Sequence, residues 1–349
     1  MRMLSRSPVN SADGRASSID AVRAIAIFAV LAIHCDPFVS GEYAFGRIVL
    51  GDVVDLLARF AVPFFFITSG YFLGQKCSRG ASRLSAVGTF SIRLAGLVTF
   101  WYAFYVVWPP DWVKAFEQGW VRTAYWSAFD LFNSVGNFLA GPRAHLWFLM
   151  ALLIGCVHVF VIALFGSPIL VLLYFSCLYL IGLGQGVYGL IPELTVVFPK
   201  APGALTLSPL IIALGWWSAA SADRVRREVG WALFIFGTVS TFVEAWMLLQ
   251  AHNIPLQNHD FLLGTPFQAL GLLYLVRGYP DWGSRTPLPK WGRYTLGVYA
   301  GHVAVMEVIG ARESGSLVWE LIKTPLLYAL TLVAVAWAAQ WTRARLFVT

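Results

Sequence analysis

The chain has 349 residues, of which 58% are hydrophobic and 12% charged, and its formal net charge is +7. A soluble chain carries about 25% charged residues, so this composition, with a mean hydropathy of +0.69, excludes a soluble domain with an anchor and points to a polytopic membrane protein. The positive balance would suit nucleic acid if the basic residues shared one surface; along the chain they do not.

Residues 1–18 are polar and rich in Ser and Arg, and are expected to be disordered. Residues 19–345 read as one transmembrane domain. Apolar runs centred on 21–35, 53–73, 87–108, 145–165, 168–184, 203–219, 231–250, 261–276, 294–310 and 325–341 predict an all-α bundle of about ten spanning helices, each near the ~17–25 residues a bilayer requires.

The first run, IDAVRAIAIFAVLAIHC, carries Arg23 at one end and His34 at the other. A cleaved leader is a poor reading, because Ile33 and His34 before Cys35 do not suit a small-residue cleavage site. Eleven residues of helix turn through about 1100°, so Arg23 and His34 share a face, ~16 Å apart along the axis. Ionisable groups on such a face belong against protein or a wet cavity. A cation at the inner mouth with an imidazole about two-thirds of the way across suits a long, thin ligand with an anionic head, and acyl-coenzyme A has that shape. Asp36 follows just beyond.

The second run opens with Asp55 and Arg59, spaced i,i+4 to pair along one helix, and closes inside with Ser69, Gly70 and Tyr71, level with Arg23. Gly70 permits close backbone approach, and Ser69 can donate to a phosphate or an amide; packing through small residues is the alternative. Arg93 lies deeper in the third run than Arg83 and adds positive charge on the same side. Residues 109–143, where Trp, Tyr and Phe mix with charges, predict an interfacial segment on the outer side. Next come His145 and Trp147, then Glu244 in FVEAWMLL, and His302 and Glu307 in the ninth run. Counting inward places Arg59, His145, Glu244 and Glu307 near the depth of His34, with His302 mid-span.

Across alternate connections, Lys and Arg divide 15 against 7. That is the positive-inside bias, so both termini are expected in the cytoplasm. The basicity orients the chain in a bilayer; it does not indicate nucleic acid. The four cysteines show no CxxC spacing, and neither a disulfide framework nor a metal site follows.

The segment Ile19 to Cys35, with its Arg-x10-His spacing, resembles the first helix of the integral membrane acyltransferase family 3. VPFFFITSGYFLG, LWFLMALL and RYTLGVYAGHVAV resemble later family helices, in the expected order. The resemblance implies transfer of an acyl group, most often acetyl, from cytoplasmic acyl-coenzyme A to a hydroxyl of a cell-envelope glycan or lipid-linked oligosaccharide, in a bacterial inner membrane. No permanently bound cofactor is expected. His34 would act as base or as transient acyl acceptor, with Glu244 or Asp36 tuning it. Arg23 would hold coenzyme phosphates through its guanidinium fork, assisted by Ser69, Gly70, Tyr71 and Arg93. Arg59, His145, Trp147, Glu307 and His302 are the candidates for acceptor binding. The alternative is a transporter or flippase of an anionic or lipid-linked solute, which would use the same buried Arg, His and Glu residues as a pathway.

Overall fold

The computed structural model describes residues 16–40, 43–46, 48–109, 112–191, 206–220 and 226–341. Residues 1–15 of the expected disordered segment lie outside these, as do the start of the 203–219 run and the basic residues Arg47, Lys200, Arg224 and Arg343.

The described chain is helical apart from a short hairpin, β1 (Ala44–Phe45) with β2 (Ile48–Val49). Helix α1 (Ser17–Cys35) ends because Asp36 precedes Pro37, whose ring disfavours a helical residue before it. Asp36 turns into the left-handed region at φ 45°, and its N–H caps the Ala32 carbonyl. The expected second run is two helices, α2 (Leu50–Ala58) and α3 (Ala61–Ser78), broken at Arg59–Phe60. Helix α4 (Arg83–Val107) starts at Ser82, whose hydroxyl accepts from the Ser85 N–H, a side-chain N-cap.

The 109–143 segment contains three short helices, α5 (Trp112–Gln118), α6 (Trp120–Asn133) and α7 (Val135–Ala140). A 3-10 turn at Ala144–Leu146 leads into α8 (Trp147–Ala163), and α9 (Pro168–Gln185) follows. The second half contains α10 (Ser208–Ser218), α11 (Arg227–His252), α12 (Thr265–Gly278), α13 (Leu288–Trp291), α14 (Thr295–Ile309) and α15 (Leu317–Ala338).

Each expected run therefore coincides with helix, but only six helices among the described residues are long and apolar enough to cross a membrane: α1, α4, α8 with its leading turn, α9 with the turn after it, α11 and α15. Helices α3, α10, α12 and α14 have 18, 11, 14 and 15 residues. The last run was placed too late: α15 begins at Leu317 and carries Pro325 in its interior. There the ring removes a backbone donor and normally marks a boundary.

Helix α1 is the axis. It packs on α2, α3, α12, α13, α14 and α15, and 67% of its apolar window is buried, against 28% for α9 and α11, which lie at the edge. Close packing around it depends on missing side chains. A Cβ on Gly70 of α3 would sit 2.0 Å from the Ile212 carbonyl of α10, and one on Gly215 of α10 would sit 2.0 Å from the Ile67 carbonyl of α3. The two backbones are thus in direct contact, the small-residue packing that lets helices approach in a membrane.

Candidate functional site

The helical period sets the walls of a cavity of about 790 Å³. From α3, Phe65, Ser69, Phe72 and Lys76 line it at i, i+4, i+7 and i+11, one helix face. Helix α1 contributes Ser17, Asp20 and Arg23, and α4 contributes Phe90, Arg93, Leu94 and Leu97. Lys76 is eleven residues along α3 from Phe65, so the cavity runs ~16 Å along that helix.

One end, at Arg23, Lys76, Arg93 and Arg293, is cationic; the other is closed by Phe65, Phe148 and Tyr299. Asp20 is the one acidic lining residue, 3.4 Å from Arg23. Four cations around one carboxylate make an anion-binding mouth on an otherwise aromatic and aliphatic cleft. Of the residues expected to meet the donor, the cavity takes Arg23, Ser69 and Arg93. Gly70 and Tyr71 point elsewhere. Gly70 abuts α10, and Tyr71 is buried under the Arg277 guanidinium, 4.9 Å from its ring centroid, while its hydroxyl accepts from Gln75. Neither lines the cavity; both stand in contacts between helices. Ser69 gives its hydroxyl proton to the Phe65 carbonyl at 2.8 Å.

Beyond the closed end, three imidazoles from three helical segments meet. His34 at the end of α1 lies 5.0 Å from His302 of α14 and 6.2 Å from His145 before α8, ring centroid to ring centroid; His145 and His302 are 4.9 Å apart. His145 and His302 are buried, and His34 is partly exposed. Backbone carbonyls hold two of the rings: Ala300 O is 3.2 Å from His145 Nε2, and Tyr299 O is 2.6 Å from His302 Nδ1. Tyr105, fully buried in α4, donates to the same Ala300 carbonyl at 2.8 Å. Tyr299 donates to the His145 carbonyl while its ring lines the cavity. Tyr299 therefore adjoins both the cavity and the cluster.

The carboxylates expected near His34 are engaged elsewhere. Glu244 accepts from Tyr188 and from the Leu263 N–H at 2.9 Å, and so holds the turn before α12 instead of tuning His34. Glu307 binds Arg143 at 2.9 Å and the Trp108 indole at 3.0 Å. Asp36 faces Arg312 at 4.0 Å, and burial holds its carboxyl above the ordinary range, with Arg312 opposing. Arg59 pairs with Asp55 at 2.7 Å as the spacing predicts, and also donates to Asp260 and to the Gln257 carbonyl. Trp147 sits between Phe66 and Phe261, a half-buried packing position rather than an open platform.

Sequence reasoning missed Arg143, Glu320 and Lys323. Lys323 and Glu320 form an ion pair at 2.9 Å that is almost completely buried. Glu320 also accepts from the Phe38 N–H at 2.7 Å, and Lys323 donates to the Asp36 carbonyl at 3.4 Å. The pair therefore fastens the turn that follows His34, where both Asp36 and Phe38 have positive φ. Its sequence signal was the i,i+3 spacing of opposite charges in an apolar run. Arg143 stands two residues before His145 and donates to Glu307 and to the Trp108 carbonyl, bracing the turn that carries that imidazole.

Among curated proteins the chain is 28% identical over 294 residues to an amino-acid racemase of Enterococcus faecalis, covering 77% of this chain and 37% of that protein. It is 27% identical over 301 residues to a serine/alanine racemase of Enterococcus gallinarum, covering 81% and 40%. A second Enterococcus faecalis amino-acid racemase is 25% identical over 91% of this chain and 44% of its own length. The chain thus spans less than half the length of these relatives. No solved structure matches it. The family model for an acyltransferase domain, acyltransferase family 3, matches residues 17–342 and so takes in the cavity, its cationic mouth and all three histidines: the chain belongs to that family of membrane acyltransferases.

Proposed function

We propose that the protein transfers an acyl group, most often acetyl, from acyl-coenzyme A to a hydroxyl of an envelope glycan or lipid-linked oligosaccharide. The observation that carries this reading is the alignment of a cationic, elongated cavity with a histidine cluster directly behind its closed end. Arg23, Lys76, Arg93 and Arg293 would take the coenzyme phosphates, with Arg able to grip two oxygens at once. The narrow arm would lie along Ser69 and Phe72, and the thioester would reach Phe148 and Tyr299.

His34 then serves as the base. Its ring takes the acceptor's hydroxyl proton as the oxygen attacks the thioester carbon; the C–S bond breaks, and the proton passes to the leaving thiolate as coenzyme A thiol. A transient acyl-imidazole at His34 followed by transfer to the hydroxyl gives the same balance. The Lys and Arg bias supports a cytoplasmic position for the cationic mouth, the side on which the thioester is made. A bacterial inner membrane is the setting in which a cytoplasmic donor and an outer glycan face each other across one bilayer.

The test compares envelope glycans by mass spectrometry from cells carrying the natural protein and cells carrying His34→Ala at equal protein level. The expected outcome is loss of a defined acyl mass increment, with coenzyme A release by purified protein falling ~10²–10⁴-fold. Unchanged glycans with solute flux across the membrane would instead favour the transporter reading.

A further inference from the structure

The two deep histidines have fixed tautomers, and the consequence lies at His34. A carbonyl oxygen only accepts hydrogen bonds, so the ring nitrogen beside it carries the proton. His302 faces the Tyr299 carbonyl through Nδ1, which makes Nε2 a bare lone pair; His145 faces the Ala300 carbonyl through Nε2, which makes Nδ1 the bare one. Both bare nitrogens are buried, and no donor reaches either among the described residues. Buried polar atoms are nearly always satisfied, and an exception asks for an explanation.

The second observation concerns what orients His34. A catalytic imidazole is normally held by a third group, most often a carboxylate. Here no carboxylate hydrogen-bonds His34 among the described residues, and Asp36, Glu244, Glu307 and Glu320 each engage another partner. The rings that do adjoin His34 are His302 and His145.

We infer that His302 is the positioning residue of the histidine base: its bare Nε2 accepts the N–H of His34 during the reaction, fixing the His34 tautomer so that the opposite nitrogen faces the acceptor hydroxyl. This rests on the proposed acyl transfer. A centroid separation of 5.0 Å suits two imidazoles that share one proton, since a ~2.9 Å N···N contact plus two ring radii spans about that distance. When His34 takes the acceptor's proton, the resulting cation donates to the neutral His302 lone pair, which stabilises it less than a carboxylate would but leaves no buried negative charge. The proton returns through His34 to the thiolate, so His302 is unchanged at the end of the cycle.

Two conservative variants separate this role from packing. His302→Gln places an amide oxygen near the Nε2 position and gives up the bond to Tyr299. His302→Asn keeps a donor near Nδ1 for the Tyr299 carbonyl and gives up the lone pair. With purified protein and acetyl-coenzyme A as donor, we expect His302→Gln to retain at least tenfold more kcat than His302→Asn, with KM for the donor within about twofold of the natural protein in both. The reverse order would overturn the inference and leave His302 a helix-packing residue.

An activity-independent measurement keeps the inference apart from the reading beneath it. In protein labelled with 15N-histidine, with the His302 resonances assigned through His302→Gln, the Nδ1–H form is expected for His302. An Nε2–H form would overturn the inference even if acyl transfer stands. Absence of any acyl transfer by the natural protein, with the Nδ1–H form present, would instead remove the function it rests on.

Discussion

At the scale of single residues, the buried pair of Lys323 and Glu320 is the sharpest commitment in the chain. Lys323 is fully buried and Glu320 nearly so, and a charge left alone in such a place is far more costly than a pair removed together. Lys323→Met is expected to destabilise by about 3–5 kcal/mol, whereas Lys323→Met with Glu320→Gln should lose clearly less. Thermal unfolding in detergent, followed on both proteins, reads the difference; equal losses would mean the pair carries no mutual interaction. Because Glu320 holds the Phe38 N–H and Lys323 the Asp36 carbonyl, the single variant should also loosen the turn after His34. The spacing of Arg23 and His34 could be read directly as one helix face, and Arg23 lies in the cavity lining while His34 lies in the imidazole cluster. His145 and His302 were each placed at a depth, but periodicity gives depth and face within one helix and says nothing about which helices are neighbours. Their meeting with His34 was therefore not legible.

At the scale of helices, the contact between α3 and α10 is a backbone contact. Gly70→Ala or Gly215→Ala would bring a methyl group to 2.0 Å from a carbonyl oxygen, and a main-chain atom cannot swing aside as a side chain can. Overpacking of this kind costs about 1–3 kcal/mol or more. The expected outcome is a lower melting temperature and aggregation on gel filtration for both variants. Gly96→Ala in α4 is the control, because nothing lies within 4 Å of its added carbon and Ala there gains helix propensity, about 1 kcal/mol. A normal melting curve for Gly70→Ala would contradict the close approach. Element boundaries were readable where capping chemistry is local, as at Ser82. They were not where a tertiary partner overrides the signal: the break at Arg59–Phe60 accompanies the Arg59 bonds to Asp260 and Gln257, residues two hundred positions away in sequence. Likewise the apolar run of α15 accommodates two charges because Glu320 and Lys323 satisfy each other.

At the scale of the whole molecule, the division of Lys and Arg predicts which loops face the cytoplasm. Ser284, between α12 and α13, should be inside, and Gln118, at the end of α5, outside; both are exposed. With Cys77 and Cys177 replaced by Ser, a membrane-impermeant maleimide applied to intact cells should label Gln118→Cys and spare Ser284→Cys until the cells are opened. The reverse pattern would invert the orientation and put the cationic mouth outside. Composition made the membrane bundle legible at once, because the bilayer demands apolar length in every span. The cavity was not, since it is the product of side chains from α1, α3, α4, α8, α13, α14, α15 and the turn at Arg293 meeting at one place.

Tyr299 gives that arrangement a consequence for the cell's energy supply. A basic cavity reaching far into the bilayer, with ionisable imidazoles behind it, has most of the parts of a proton leak. Tyr299 and Phe148 close the cavity's inner end, and the Tyr299 hydroxyl is committed to the His145 carbonyl. The phenol thus stands where the cavity and the histidines adjoin. A pocket deep in a bilayer beside ionisable rings needs a bulky residue at that junction if protons are not to leak along it, and Tyr299 stands there.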